Sequence, residues 1–236
     1  SCRGILAIAC QAADHRARAF VVSADDAAEA SLVDGLAVHS AHTLRELVAD
    51  LSSGRRPTGR CTVARQPAAN RRFDRASPAL HLPGQHLARQ GLALAAAGGH
   101  HLLLVGPPGC GKTHLAHQLP ALLPPLEQPE ALEITRLHSL AGLTRGNGQL
   151  IDQRPFRSPH HSTTAAALLG GGSNPQPGEL SLAHGGVLFL DELAEFPRAV
   201  LDQLRQPLEE GVIRLSRTRI HCCFPSRVTL VAATNA

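Results

Sequence analysis

Short, wholly apolar runs alternate along this chain with alanine- and leucine-rich stretches, as strands alternate with helices in an α/β protein. Within residues 1–53, Gly4-Ile5-Leu6-Ala7-Ile8-Ala9-Cys10, Ala19-Phe20-Val21-Val22 and Leu36-Ala37-Val38 read as strands of a small α/β unit. Asp25 to Leu32, rich in alanine, reads as a helix between them. Thr43-Leu44-Arg45-Glu46 has the S/T-x-x-E capping-box pattern, so a short amphipathic helix carrying Leu47, Val48 and Leu51 closes the block. Further along, His86 to Ala97 predicts a packed helix with Leu87, Leu92 and Leu94, ending at Gly98-Gly99. Leu102-Leu103-Leu104-Val105, Val187-Leu188-Phe189-Leu190 and Val228-Thr229-Leu230-Val231-Ala232-Ala233 predict buried strands.

The remaining elements follow from proline and glycine. A helix bearing Leu115, Ala116 and Leu119 is expected to stop at Pro120, and a second apolar segment surrounds Leu132 to Leu143. Pro197 suits a first helical turn ahead of Val200, Leu201, Leu204 and Leu208, with Pro207 expected to kink or end that helix. Gly211 to Phe224 alternates as a β-hairpin, with Arg214, Arg217 and Arg219 as exposed residues open to DNA, a neighbouring subunit or solvent.

Two stretches resist this periodicity. From Ser52 to Arg72 the chain turns to Ser, Gly, Pro and Arg, which divides it into a block at 1–53, a basic linker at 54–75 and a larger domain at 76–236. The linker arginines can meet DNA phosphates, but composition favours a solvated connection, and no aromatic residues interleave for base stacking. From Arg145 to Leu182 the chain is rich in Gly, Pro, His and Ser, and it holds Arg154-Pro155-Phe156-Arg157-Ser158-Pro159-His160-His161 and Gly170-Gly171-Gly172. A loop of this length reads as an insertion. Adjacent histidines without a nearby carboxylate favour that over a metal site.

The chemistry lies at the ends of the strands. Gly106-Pro107-Pro108-Gly109-Cys110-Gly111-Lys112-Thr113 follows an apolar run and opens a helix, in the spacing G-x-x-x-x-G-K-[ST] of a phosphate-binding loop. In such a loop, backbone N–H groups and the helix N-terminus surround phosphate oxygens. Lys112 then reaches the β- and γ-phosphates of ATP and Thr113 holds Mg²⁺, so the expected nucleotide-binding set runs from Gly106 through His114. Lys112 is the only lysine of the chain; every other basic side chain is Arg. Asp191 and Glu192 end the run Val187–Leu190, and ligands of open parallel sheets bind beyond the carboxyl ends of strands. Asp191 is therefore read as a Mg²⁺ ligand and Glu192 as the base that polarises the attacking water. Asn235, after the last apolar strand, is read as an amide that senses phosphate and orients water.

Composition narrows the classes that remain. With 43% apolar residues among 236, the chain can bury a sizeable core. It holds no apolar run of membrane-spanning length and no signal-peptide pattern at its start, so a cytoplasmic location is expected. Six scattered cysteines without a C-x-x-C pair argue against a disulfide framework or a zinc site. A formal net charge of +4 permits nucleic-acid contact without requiring it. The chain starts at Ser1 and contains no Met, as expected of a piece of a longer polypeptide.

Taken together, these residues resemble the AAA+ ATPases of the magnesium-chelatase-like group, and most closely the YifB/ComM family. The resemblance is carried by Ala95-Ala96-Ala97-Gly98-Gly99-His100, Arg154 to His161, Gly178-Glu179-Leu180-Ser181-Leu182-Ala183-His184, Leu204-Arg205-Gln206-Pro207-Leu208-Glu209 and Ser216-Arg217. It implies a partial Lon-like (S5-type) domain without protease activity at the amino-terminal end, followed by an incomplete AAA+ core. It also implies a helix-2 insertion at 145–182, a pre-sensor hairpin at 212–226 and Asn235 as the sensor. Members of this family form hexameric rings; the ComM branch is similar to a DNA helicase that drives branch migration in natural transformation, and the chelatase branch inserts Mg²⁺ into a porphyrin. After Ala236 the family continues with a Cys-Pro-Cys-Gly stretch, an arginine finger and a lid, so this piece alone is expected to bind nucleotide with little turnover. The expected function is an ATP-hydrolysing motor subunit acting on DNA, with a chelatase-type motor or a nucleotide-binding remnant as alternatives.

Overall fold

The computed structural model describes residues 2–53, 59–60, 85–144, 148–172, 175–217 and 220–235. In chain order the elements are α1 (Ile5–Asp14), β1 (Phe20–Ser23), α2 (Ala24–Ala30), β2 (Val38–Ala41), α3 (Leu44–Ser52), β3 (Gly59–Arg60), α4 (His86–Gly98), β4 (Leu102–Val105), α5 (Lys112–Leu122) and α6 (Gln128–Leu140). There follow β5 (Phe156–Arg157), α7 (Ala165–Leu169), β6 (Gly170–Gly171), β7 (Gln176–Pro177), α8 (Glu179–Leu182), β8 (Val187–Leu190), α9 (Arg198–Glu210), β9 (Val212–Arg217), β10 (Ile220–Pro225) and β11 (Thr229–Thr234). By their contacts they form two compact units, one from 1–69 and 128–151, the other from 70–127 and 152–236. Apart from Gly59–Arg60, the linker read at 54–75 lies outside the described residues, as does Arg219.

In the first unit, β1 and β2 pair in parallel with Phe20 opposite Val38, and β3 joins β2 antiparallel. The run from Gly4 to Cys10, expected as a strand, is instead the start of α1. Seven apolar residues do not distinguish a strand from a buried helix, and the continuation Gln11-Ala12-Ala13 extends them at helical length. Ile5, Leu6 and Ala9 face one way and enter a core with Val22, Ala27, Ala30, Val33 and Val38, against which Leu132 of α6 also rests. The predicted cap forms, with one half of the box shifted: the Glu46 amide donates to Thr43 Oγ1 at 3.2 Å, and the Glu46 carboxylate accepts at 3.0 Å from the amide of His42, the residue before the cap.

The second unit holds a parallel four-stranded sheet in the order β4-β11-β8-β5. All four residues of β8 are buried, as their unbroken apolar run requires of a strand covered on both faces. Phe189 and Val187 meet Val231 and Ala233 of β11, Leu104 of β4, and Leu115, Ala116 and Leu119 of α5 in one core. α4 adds Leu92, Ala95 and Ala96 at helical spacing, whereas Leu87 and Leu94 are exposed, contrary to expectation. Leu87 stands five residues from Leu92, well around the helix from the face that Leu92 shares with Ala95 and Ala96.

Neither proline stops its helix at once. α5 continues past Pro120 to Leu122 and α9 past Pro207 to Glu210, each forgoing the bond a backbone N–H there would make. The end of α9 is set by Gly211, whose φ of 68° favours glycine. The hairpin forms as predicted, with Phe224 opposite Ile213 and both buried. The stretch 145–182, expected as one long loop, carries short elements, and Phe156–Arg157 is a strand of the main sheet, pairing with Val187 and Leu188. Gly186 makes that pairing possible: the Val187 amide donates to the Pro155 carbonyl at 2.8 Å, and a Cβ on Gly186 would run into that carbonyl oxygen. Among the described residues, no helix is long and apolar enough to cross a membrane.

Candidate active site

β4 ends at Val105, and the six residues that follow fold into a loop closed by the first turn of α5. Gly109 and Gly111 adopt φ of 78° and 87°, a conformation that side chains disfavour, which explains glycine at both positions. β11 lies between β4 and β8, with Thr234 opposite Val105 and Ala232 opposite Leu190. Its end therefore emerges beside the loop, and the Gly106 amide donates to the Thr234 carbonyl at 3.3 Å.

Lys112 is the centre of the site. Its ammonium donates to the Gly106 carbonyl at 2.8 Å, the Pro107 carbonyl at 3.0 Å and Asn235 Oδ1 at 3.1 Å. All three acceptors are neutral, so an anionic phosphate oxygen would be a stronger partner for the same charge. The first N–H groups of α5 have no partner within the helix and carry the positive end of its dipole. On the far side, Thr113 Oγ1 donates to Asp191 Oδ2 at 2.8 Å, and Asp191 Oδ1 accepts from the Glu192 amide at 3.0 Å. A hydroxyl and a carboxylate in contact are hard oxygen donors of the type Mg²⁺ takes alongside phosphates and water.

Glu192 has φ 52° and ψ 51°, one of two described non-glycine residues in the left-handed region. Such a conformation costs about 1–3 kcal/mol and turns the chain sharply after Asp191. The Glu192 side chain is 57% exposed, and its Oε2 lies 3.5 Å from His161 Nδ1. His114, the last residue of the predicted nucleotide-binding set, stands exposed on α5, and Pro107, Pro108 and Gly109 are exposed in the loop, with Cys110 partly covered.

Two neighbours of the site escaped the sequence reading. The Gln85 side-chain amide donates to the Cys110 carbonyl, while its Oε1 is buried and has no hydrogen-bond partner among the described residues. A glutamine at a helix start gives no local signal of this role. His161 lies in the stretch that reads as an insertion; only the pairing of β5 with β8 carries it to Glu192. Below it, Arg157 forms a two-pronged ion pair with Glu179 at 2.6 and 2.7 Å, which pushes the guanidinium above its ordinary range.

The geometry can be set beside known proteins. The family described as magnesium chelatase, subunit ChlI, matches residues 80–236. A protein of Mycobacterium tuberculosis strain H37Rv is 47% identical over 99% of this chain and 46% of its own length. YifB of Salmonella typhimurium is 45% identical over 92% of this chain and 42% of its own. Competence protein ComM of Haemophilus influenzae is 44% identical over 95% of this chain and 44% of its own. The chain thus spans about half the length of the curated relatives it matches. A glycine-rich loop and an acidic strand end meet through Thr113 and Asp191, and the match over 80–236 places the chain in the magnesium chelatase subunit ChlI family of AAA+ proteins, beside YifB and ComM.

Proposed function

We propose that this chain is part of an AAA+ motor subunit that binds and hydrolyses ATP and acts on DNA as a branch-migration helicase in natural transformation or recombination. The observation that carries the ATPase reading is the meeting of Lys112, Thr113, Asp191 and Asn235 at the ends of three adjacent strands. In this reading Lys112 and the loop amides hold the phosphates, with Gly106 to His114 around them. Thr113 and Asp191 hold Mg²⁺, which when bound offsets negative charge on the phosphate oxygens. Glu192 accepts a proton from water as that water's oxygen bonds the terminal phosphorus and the bond to ADP breaks. Asn235 keeps Lys112 and the terminal phosphate in register.

The first block is read as part of a Lon-like domain, and rings of six are the proposed assembly of the complete protein. The DNA reading draws on the likeness to Competence protein ComM, which covers 95% of the chain and so extends well before residue 80. The family match itself begins at 80, which favours the ComM type over a chelatase-type motor. A nucleotide-binding remnant is the reading that remains if turnover is absent.

The test is ATP hydrolysis by the complete protein with branched DNA, single-stranded DNA, or a porphyrin and chelatase partner. Stimulation by branched DNA is expected, and stimulation by porphyrin alone would move the reading to the chelatase branch. Glu192→Gln should retain ATP binding and lower turnover by about 100-fold or more. Undiminished turnover in that variant would remove Glu192 from its role.

A further inference from the structure

The first unit contains, besides the amino-terminal block, residues 128–151, an excursion that leaves the second unit after Glu127 and returns to it at Asp152. The chain thus crosses between the units three times, and the basic linker supplies one crossing only. Within the first unit the excursion is joined to the block at points spread along it. Gln128 Nε2 donates to Asp34 Oδ2 at 3.3 Å, and Leu132 rests on the core of the block. The Gly4 amide donates to the Ser139 carbonyl at 3.1 Å, and Thr144 Oγ1 donates to the buried Glu29 carboxylate at 3.2 Å. Apolar burial and paired polar groups together make this a seat for the block.

Both ends of the excursion lead to the candidate site. The outgoing chain comes from α5, which begins with Lys112 and Thr113, and the returning chain enters β5, the neighbour of β8. Arg154 stands two residues past Asp152. Its Nε donates to the Pro124 carbonyl on the outgoing chain, and its Nη1 donates to the Gly185 carbonyl ahead of β8. A guanidinium can hold two acceptors at once because its N–H groups form a rigid planar fork. We propose that Arg154 is a positioning residue through which the seating of the amino-terminal block sets the ATP affinity of the loop at 106–113. The proposal rests on the ATP-binding reading of that loop. A shift of the excursion pulls on the end of α5 and on the start of β5. Arg154 fixes those two ends to each other and to the turn before the strand that carries Asp191, so the loop and Asp191 respond as one body. With the fork removed the two ends yield separately, and the state of the block no longer reaches the site.

Two measurements on the complete protein test this. A protease site placed in the linker at 54–75 and then cut should leave the two parts together in size-exclusion chromatography, because the seat at 128–151 persists. Parts that separate would overturn the proposal. The second measurement is ATP affinity, read with a fluorescent nucleotide, in a double-mutant cycle. Leu132→Ala with Thr144→Val loosens the seat and should weaken ATP binding about fivefold or more when Arg154 is present. In the background of Arg154→Lys, which keeps the charge but loses the fork, the same pair should change affinity by less than about twofold. Arg154→Ala should behave as Arg154→Lys does. A merely structural role for Arg154 predicts the same loss in every background, and that result would overturn the proposal, as would an unchanged affinity on loosening the seat of the parent. A parent protein that binds no ATP is a different result: it defeats the nucleotide reading of the loop itself.

Discussion

Lys112 Nζ donates to Asn235 Oδ1 at 3.1 Å, joining two residues 123 positions apart in the chain. β11 is inserted between β4 and β8, so the residue after its end arrives at the loop that follows β4. Three acceptors thus aim the ammonium. Asn235→Ala removes one of them and leaves the loop carbonyls. ATP affinity in a fluorescent-nucleotide titration should change by less than about fivefold, while kcat of the complete protein falls by about 10- to 100-fold. Lys112→Ala, by contrast, should abolish detectable binding in the same titration.

Thr113 and Asp191 bond each other directly, and in the proposed site this pair would hold a divalent ion. Chelation of Mg²⁺ should weaken ATP binding by the parent protein. Asp191→Asn should bind ATP with the same affinity whether or not Mg²⁺ is supplied. An undiminished response to Mg²⁺ in that variant would take Asp191 out of the metal site.

Gly186 and Gly91 predict opposite outcomes for the same substitution. A Cβ on Gly186 would strike the Pro155 carbonyl oxygen, to which Val187 donates. Gly186→Ala should therefore cost about 3 kcal/mol or more in urea unfolding, because backbone has to move to admit the methyl group. Gly91 lies within α4, and its Cβ would meet Leu102 Cδ1 at an ordinary 3.8 Å. Gly91→Ala should stabilise by about 0.5–1 kcal/mol through helix propensity.

Arg157 and Glu179, with side chains 32% and 25% exposed, are partly shielded from water. Glu179→Ala leaves the guanidinium in that setting without its carboxylate and should cost about 1–3 kcal/mol, read as a lower midpoint of unfolding. The pair raises the Arg157 pKa, so its contribution is fully present below the ordinary guanidinium range and is lost only as pH rises through the raised value. Across neutral pH the difference between parent and variant should therefore stay constant on the arginine side.

The shape of the loop was legible locally because it depends on neighbours in sequence. Glycine is required where φ reaches 78° and 87°, and lysine and threonine follow at the first turn of a helix whose N–H groups face the loop. The strand ahead of Asp191 was legible for a similar reason, since four successive apolar residues suit a strand buried on both faces. The Thr43 cap on the Glu46 amide and the hairpin at 212–225 are likewise short-range patterns, and both form. Local pattern fails where a short run serves two elements: Gly4 to Cys10 is apolar enough for a strand, yet it begins a helix that rests against α6, 120 residues on. It fails again at Leu87 and Leu94, which stand exposed while Leu92, Ala95 and Ala96 pack.

The sequence by itself therefore determined which groups are proposed to bind phosphate and a divalent ion, and that each follows an apolar strand. Tertiary structure alone decided which strand ends are adjacent. The order β4-β11-β8-β5 brings Asn235 to Lys112, Asp191 to Thr113 and His161 to Glu192, three contacts across 31 to 123 residues. The physical reason is that strand order is settled by which buried faces share one core, and Leu104, Val187, Phe189, Val231 and Ala233 reveal that only when the sheet is assembled.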